Sequence, residues 1–304
     1  MRLRLPLTAL LACLIPACAN VETSVPTGKP LVATAIFAYY DAARAIGGDK
    51  IQAYLFIHPN ESPHEYDITP DDKLLMSRAA LFIENGLGLD DRFEKLTTDS
   101  KARILNISKA VPTAEILKTA ETPLNNTLAN PQESAQGNPH IWLDPEIQIQ
   151  AAEKIRDALD QIAPADKATF DANAEKYIQS IRDLDKAFKQ AVPTFKTREF
   201  IGFHSAYAYL AHRYGLQQIA SIEEVPGEGL NVSQLAKIIK LIKEKNIHYI
   251  AKESAFSERD AQRIVDETGV KLITLQPLET YDRPGDTYVS LMTENLDALK
   301  KALQ

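Results

Sequence analysis

The sequence predicts an α/β protein with two similar lobes, each a mostly parallel sheet with flanking helices, joined by one long helix. Short apolar runs alternate with amphipathic runs from residue 31 to 107, which is the pattern of βα units. The same alternation restarts at residue 199 and continues to the end of the chain. Between the two halves, apolar side chains recur every three or four residues from 166 to 191, which indicates one long amphipathic helix.

The first half contains four short apolar runs bounded by turn residues, and each is predicted to be a strand. The strands are expected at 31–37, 50–56, 79–83 and 103–107. Helices are expected at 39–46, from residue 70 onward, and at 90–96. Thr69 followed by Pro70 is a strong helix start, because threonine caps free backbone N–H groups and proline fits the first turn. The polar residues 119–139 are interpreted as a surface loop.

The second half repeats this organisation after two consecutive helices. Asp144 is expected to cap a helix over 145–161, and Pro193 to end the long helix. Strands are expected at 199–203, 217–222, 247–251 and 271–275. The remaining helices are expected at 205–214, 233–245, 258–268 and 287–303.

The N-terminus has the pattern of a bacterial secretion signal. Arg2 and Arg4 precede the apolar run 5–16, and a small residue stands before Cys18. We expect Cys18 to be the lipidated first residue of the mature protein, although the run ending at Cys13 and ordinary cleavage near Cys18 are alternatives. The apolar run is too short for a membrane span, so a lipid anchor is the only membrane attachment expected. The protein is expected to be periplasmic or extracytoplasmic.

These patterns divide the chain into five segments. They are a signal peptide with its lipobox at 1–18, a tether at 19–30, an N-terminal lobe at 31–163, a linker helix at 164–192 and a C-terminal lobe at 193–304.

Charge and cysteine content exclude some classes of function. The net charge is -7, which argues against a nucleic-acid binder, since phosphate recognition needs a basic face. The only two cysteines are Cys13 and Cys18. The mature fold therefore has no disulfide and offers no cysteine ligand to a metal ion.

Three histidines lie where a parallel α/β sheet places its ligands. His64 follows a predicted strand between two prolines, and His204 directly follows the strand at 199–203. His140 lies between Pro139 and Pro145, which restrict the backbone and can fix the direction of one side chain. A single loop histidine is usually a packing residue, but three at such positions predict a metal site. The other histidines, His58, His212 and His248, are expected to have surface or packing roles.

Four fragments, in order along nearly the whole mature chain, resemble the periplasmic metal-binding proteins of bacterial zinc and manganese ABC importers, the cluster A-I or TroA-like family. The fragments are Pro63-His64-Glu65-Tyr66 with Thr69-Pro70, Asn85-Gly86-Leu87-Gly88-Leu89, Asn138-Pro139-His140-Ile141-Trp142-Leu143-Asp144-Pro145, and Phe203-His204-Ser205-Ala206-Tyr207 with Arg213-Tyr214-Gly215-Leu216. The resemblance implies two α/β lobes bridged by a rigid helix, with a cation bound between them. Carried over by motif, it implies that His64, His140 and His204 are ligands.

The fourth ligand position departs from the family pattern. Family members usually have an aspartate directly after the strand expected at 271–275, and here that residue is Gln276. An amide is a poorer ligand for a dication than a carboxylate. The fourth ligand is therefore Gln276, a water molecule, or a nearby carboxylate, for which the candidates are Glu279, Glu253 and Asp282.

Zinc is the metal that this ligand set favours, with manganese or ferrous iron as the alternative, because three imidazoles suit Zn²⁺ and manganese prefers carboxylate oxygen. The loop at 119–139 lacks the histidine-rich insert common in zinc-binding members, which weakens the case for zinc without supporting manganese.

The resemblance implies a solute-binding protein of an ABC importer, not an enzyme. It would act as a monomer that captures a divalent metal ion and delivers it to a membrane permease with its ATPase. The alternative from another class is a secreted zinc-dependent hydrolase, in which Glu65 would be the base. The sequence contains no His-Glu-x-x-His motif, which argues against that alternative. A surface adhesin on the same fold is a third possibility.

Overall fold

The computed structural model describes residues 28–59, 61–98, 100–118, 136–222, 231–253 and 258–304, with side chains from 261 in the last range. Its elements form two four-stranded parallel sheets with helices on their faces. The predicted fold class is confirmed. The predicted signal peptide, most of the tether and most of the loop at 119–139 lie outside the described residues.

The first sheet is formed by the first half of the chain. Its strand order is β2-β1-β3-β4, and all pairs are parallel. The strands are β1 (Leu31–Thr34), β2 (Gln52–Leu55), β3 (Ala79–Glu84) and β4 (Arg103–Asn106). The helices are α1 (Phe37–Gly47), α2 (Pro70–Arg78) and α3 (Asp91–Thr97).

The second sheet has the equivalent order β6-β5-β7-β8, again with parallel pairs. Its strands are β5 (Glu199–Gly202), β6 (Gln217–Ser221), β7 (Tyr249–Lys252) and β8 (Lys271–Thr274). Its helices are α6 (Ala208–Tyr214), α7 (Val232–Lys245), α8 (Glu258–Thr268) and α9 (Tyr288–Leu303). The shared strand order places the carboxyl ends of both central strands at a switch point, where open α/β sheets bind ligands.

Two helices connect the halves, α4 (Pro145–Ile162) and α5 (Lys167–Ala191). Helix α5 contacts α1, α4 and α9, so it touches elements of both halves. Its predicted apolar stripe is buried, as Phe170, Ala174, Tyr177, Ile181, Leu184 and Phe188 show. The stripe therefore provides the surface along which both halves pack.

The largest buried apolar cluster is continuous between the two sheets. It includes Val32 and Ile83 of the first sheet, Phe200 and Ile273 of the second, and the stripe of α5. The neighbouring side chains in each strand point to the opposite face, as strand geometry requires, and form separate clusters around Phe82 and around Ile201 and Ile250. A core shared in this way resists large movements of one sheet relative to the other.

The predicted elements have counterparts in the structure, with one notable change of boundary. The strand expected at 31–37 ends at Thr34, and helix α1 already begins at Phe37. Phe37, Ala38 and Tyr39 are all buried, so the apolar run continues through the strand-to-helix boundary without a change of pattern. The proposed division at 31–163, 164–192 and 193–304 remains a prediction. Within the described residues, no helix is long and apolar enough to cross a membrane.

Candidate metal centre

His64 lies in the segment between β2 and α2, which hydrogen bonds fix at the start of α2 and at His64 itself. Thr69 caps α2, accepting a hydrogen bond from the backbone N–H of Asp72, while the Asp72 carboxylate accepts one from the backbone N–H of Thr69. Nearer to the histidine, Arg92 Nη2 donates to the carbonyl oxygen of His64 at 2.7 Å. The side chain of His64 is only 3% exposed.

His140 is oriented by Asn138. The amide oxygen of Asn138 accepts hydrogen bonds from both the backbone N–H and Nδ1 of His140, each at 2.9 Å. Because this oxygen can only accept, Nδ1 of His140 carries the hydrogen, and a neutral ring turns the lone pair of Nε2 towards the centre of the site. Asn138 Nδ2 donates to the carbonyl oxygen of Ser205 at 2.8 Å, which joins the His140 segment to the residue after His204.

His204 directly follows β5 and is oriented by a carboxylate. Its Nδ1 donates to Glu253 Oε1 at 2.7 Å, and Tyr207 donates to the same oxygen at 3.2 Å. Both residues of the histidine–carboxylate pair are buried. A carboxylate behind an imidazole fixes its tautomer and raises the basicity of the opposite nitrogen, here Nε2.

Glu279 brings a carboxylate to the same point. It lies between β8 and α9, is 3% exposed, and its Oε1 is 3.1 Å from His140 Nε2. The chain reaches this position through a turn at Leu278, whose φ of 59° is in the left-handed region that leucine rarely adopts. The backbone therefore turns out of β8 so that residue 279, and not residue 276, points into the site.

The four ligand atoms are spaced like the corners of a tetrahedron. Five of the six distances between them lie between 3.1 and 3.4 Å, and all four atoms lie within 4.8 Å of one another. The atoms are Nε2 of His64, His140 and His204 and Oε1 of Glu279. In a tetrahedral site with bonds of about 2.0–2.1 Å, the corners are about 3.3–3.4 Å apart, so these atoms could hold a zinc ion with little rearrangement.

Burial and mutual contact shift the pKa values of these groups in different directions. Burial lowers the pKa of His140 to about 4, against an opposing hydrogen bond with Glu279. Burial also disfavours charge on His204, but the charge and hydrogen bond of Glu253 outweigh it and raise the pKa of His204 to about 10. Burial alone would raise the pKa of Glu279, yet the charge of His64 and the hydrogen bonds of the imidazoles hold it well below its usual value. Near neutral pH, Glu279 is ionised, His140 is neutral and His204 is charged.

The structure separates the candidates for the fourth position. Gln276 Nε2 donates to Asp282 Oδ2 at 2.6 Å, so the two side chains pair with each other. Glu253 lies behind His204, on the side away from the other imidazoles. Among the described residues, Glu279 is the carboxylate that joins the three histidines in a group able to hold a metal ion. Sequence reasoning included it among the alternatives but gave first place to Gln276.

The other three histidines lie away from the four ligand residues. His58, His212 and His248 are exposed and lie outside the cluster; surface or packing roles were expected for them. Sequence reasoning did not identify Asn138 or Arg92 as supports of the site. The only signal for Asn138 was its position within the His140 motif, two residues before the histidine.

Comparison with known proteins decides the family. The family described as "Zinc-uptake complex component A periplasmic" (ZnuA) matches residues 32–302. The chain belongs to the ZnuA family.

Two relatives are similar to this protein over most of its chain. The high-affinity zinc uptake system protein ZnuA of Bacillus subtilis is 29% identical over 301 residues, which cover 95% of this chain and 94% of that protein. The zinc-binding lipoprotein AdcA of Streptococcus pneumoniae strain R6 is 29% identical over 305 residues and 99% of this chain. The match covers 60% of AdcA, so the chain spans less than two thirds of that relative's length.

A solved structure agrees with the architecture. The Zn(II)-bound ZnuA-like domain of Streptococcus pneumoniae AdcA superposes with a TM-score of 0.72 at 29% identity. The superposition covers 91% of this chain and 99% of that domain. The two-sheet arrangement described above is therefore the fold of the ZnuA family.

Proposed function

We propose that this chain is the metal-capturing subunit of an ABC importer, which binds one zinc ion through His64, His140, His204 and Glu279 and delivers it to a membrane permease. The observation that carries the proposal is the tetrahedral spacing of the four ligand atoms. Family membership and the zinc-binding relatives support it.

The ligand set favours zinc over manganese and ferrous iron. Three imidazole nitrogens and one carboxylate oxygen at tetrahedral spacing match the coordination that zinc accepts. Manganese prefers more oxygen ligands in an octahedral arrangement. Because all four ligand side chains are nearly buried, water molecules have little room to complete a larger shell.

The same arrangement argues against a zinc hydrolase. Catalytic zinc sites keep one position open for water or substrate, whereas protein atoms occupy all four corners here. Glu65, the base in that alternative, is exposed and lies outside the cluster. The site is therefore suited to holding a metal ion and not to activating water.

Each element of the site has a role in capture. His140 is neutral near pH 7 and offers its Nε2 lone pair directly, whereas His204 must first lose its proton. Glu279 contributes the negative charge that partly neutralises the dication. The continuous core between the sheets favours small movements during capture and release. In this proposal the protein acts outside the cytoplasm, as a monomer anchored by a lipid at Cys18, and releases zinc to a permease with its ATPase.

Metal analysis and competitive titration with zinc and manganese test this function. The wild-type protein should hold one zinc ion and prefer it to manganese. Glu279→Gln, which keeps the shape but removes the charge, should weaken zinc binding by at least about 100-fold, since even outer partners of zinc ligands contribute 10- to 100-fold. Gln276→Ala is the matched control from the same segment and should leave the affinity nearly unchanged.

Two results would contradict the proposal. If the wild-type protein held no dication, the metal site itself would be rejected. If Gln276→Ala weakened zinc binding as much as Glu279→Gln, the fourth ligand would have to be reassigned.

A further inference from the structure

A second concave region lies beside the segment that carries His64. It is a surface pocket of about 670 Å³ between that segment and helices α2 and α3. Small-molecule sites in proteins usually enclose about 300–1,000 Å³. The lining residues are Tyr66, Asp67, Ile68, Lys73, Ser77, Arg92, Lys95 and Leu96.

The charge of this pocket is opposite to that of the whole protein. Three cations, Lys73, Arg92 and Lys95, line it against one carboxylate, that of Asp67, whereas the chain carries a net charge of -7. In the described ranges, no carboxylate oxygen lies within 4.0 Å of the cationic nitrogens of these three residues. A concave surface that gathers unneutralised cations attracts anions.

Two backbone carbonyl groups fix the orientation of the Arg92 guanidinium. Its Nη1 donates to the carbonyl oxygen of Tyr66 at 2.5 Å and its Nη2 to that of His64 at 2.7 Å. These bonds use two of the five N–H groups of the guanidinium and fix its orientation. The remaining N–H groups suit the paired oxygens of a carboxylate or phosphate, and a fixed guanidinium loses little entropy on binding.

Beside Ser77, the uncharged lining consists of two aliphatic residues and one aromatic residue. Ile68 and Leu96 contribute aliphatic surface. The ring of Tyr66 stacks on Phe93, with 5.8 Å between the ring centroids and 11° between the ring planes. The Tyr66 hydroxyl group donates a hydrogen bond to Asp72 Oδ2. A ligand with only a charged group would leave this surface uncovered, so the lining favours an anion that also carries a ring or a short apolar body.

We propose that this pocket binds an organic oxyanion, a carboxylate or phosphate group on a small apolar body, at a site distinct from the metal centre. The oxyanion lies against Arg92, Lys73 and Lys95, and the apolar body lies against Ile68, Leu96 and Tyr66. The metal centre offers imidazoles and a carboxylate to a cation, so the two sites bind ligands of opposite charge.

Titration of the full mature protein with benzoate, followed by NMR, tests the proposal. Benzyl alcohol serves as the neutral probe of similar shape. Benzoate should bind saturably at a single site, more weakly as salt is added, and benzyl alcohol should not saturate. Lys73→Gln with Lys95→Gln should weaken benzoate binding by about tenfold or more, because charge-assisted hydrogen bonds are lost.

The control is Lys154→Gln with Lys176→Gln, two exposed lysines on α4 and α5 whose loss changes the net charge equally. This double variant should bind benzoate like the wild type. Zinc binding, measured in parallel, reports that each variant is folded. The proposal is overturned if benzoate does not saturate, if benzyl alcohol binds equally well, or if both double variants lose benzoate binding to the same extent.

Discussion

The backbone N–H of Phe37, at the start of α1, donates to the carbonyl oxygen of Glu279 at 2.9 Å. A residue of the first half of the chain thereby holds the residue that supplies the carboxylate from the second half. Two further bonds join the surrounding chain to the first half: Trp142 Nε1 donates to the carbonyl oxygen of Pro277 at 2.7 Å, and the N–H of Tyr288, at the start of α9, donates to Asp41 at 2.9 Å. The fourth corner of the site is therefore positioned by contacts with the first half as well as by its own strand.

Replacing Asn138 with alanine should weaken zinc binding by about 10- to 100-fold, the usual effect of losing the partner of a ligating histidine. The change removes the acceptor for His140 Nδ1 and the link to Ser205. Competitive zinc titration measures the effect. Asn173→Ala, which removes an amide that donates to Ile46 of α1, is the control and should retain wild-type affinity. Equal affinity in Asn138→Ala and the wild type would show that this amide does not support the site.

Replacing Arg92 with glutamine should also weaken zinc binding, because the carbonyl oxygen of His64 loses its charged donor and the segment gains freedom. We expect a loss of about tenfold, since a hydrogen bond to a charged group contributes about 1.5–3 kcal/mol. Lys95→Gln removes the same charge from the same helix without touching His64, so its zinc affinity should stay near that of the wild type. A similar loss in both variants would indicate a general effect of charge.

Zinc affinity should rise with pH. The pKa of His204 is raised to about 10, so its imidazole carries a proton at neutral pH that zinc must displace. The pKa of His140 is lowered to about 4, so that residue adds no proton near pH 7. Each unit of pH between about 6 and 8 should therefore increase the affinity by at least about tenfold. Titration calorimetry in buffers of different ionisation enthalpy should detect the released proton, and an affinity independent of pH would contradict this assignment.

Removing zinc should lower the thermal stability of the protein. A ligand present at about 1,000 times its dissociation constant stabilises the folded state by roughly 4 kcal/mol. The unfolding temperature should therefore fall on adding a chelator and recover with zinc. His140→Ala should lose this response, whereas His248→Ala, at an exposed histidine outside the cluster, should keep it. A response that survives in His140→Ala would place the bound zinc elsewhere.

The regular elements and three corners of the site could be predicted from the sequence for physical reasons. Strands and helices here have distinct periodicities, and their ends carry strong signals, such as the capping box that Thr69 and Asp72 form at α2. His204 directly follows the central strand β5, whose carboxyl end lies at the switch point, so its position follows from topology. His64 lies in the loop after the edge strand β2, and its flanking prolines were the signal that it is held in place. The end of β1 was misplaced because the buried start of α1 continues the apolar run.

The fourth corner could not be placed because it depends on an irregular turn. The family pattern places the fourth ligand directly after the strand expected at 271–275, and that residue is Gln276. In the structure, Gln276 pairs with Asp282 instead. Glu279 reaches the imidazoles through the left-handed conformation of Leu278, and no sequence rule assigns that conformation to a leucine. Nor does the sequence reveal the bonds from Phe37 and Trp142 that hold this segment, since both cross more than a hundred residues of chain.

X-ray absorption at the zinc edge of the loaded mature protein tests the tetrahedral site most directly. We expect four nitrogen or oxygen neighbours at about 2.0–2.1 Å, with the outer-shell signal of three imidazoles. In Glu279→Gln, the first shell should change while the signal of three imidazoles persists in whatever zinc is retained. Six oxygen-rich neighbours, or fewer than three imidazoles in the wild-type protein, would contradict the assignment of His64, His140, His204 and Glu279 as the zinc ligands.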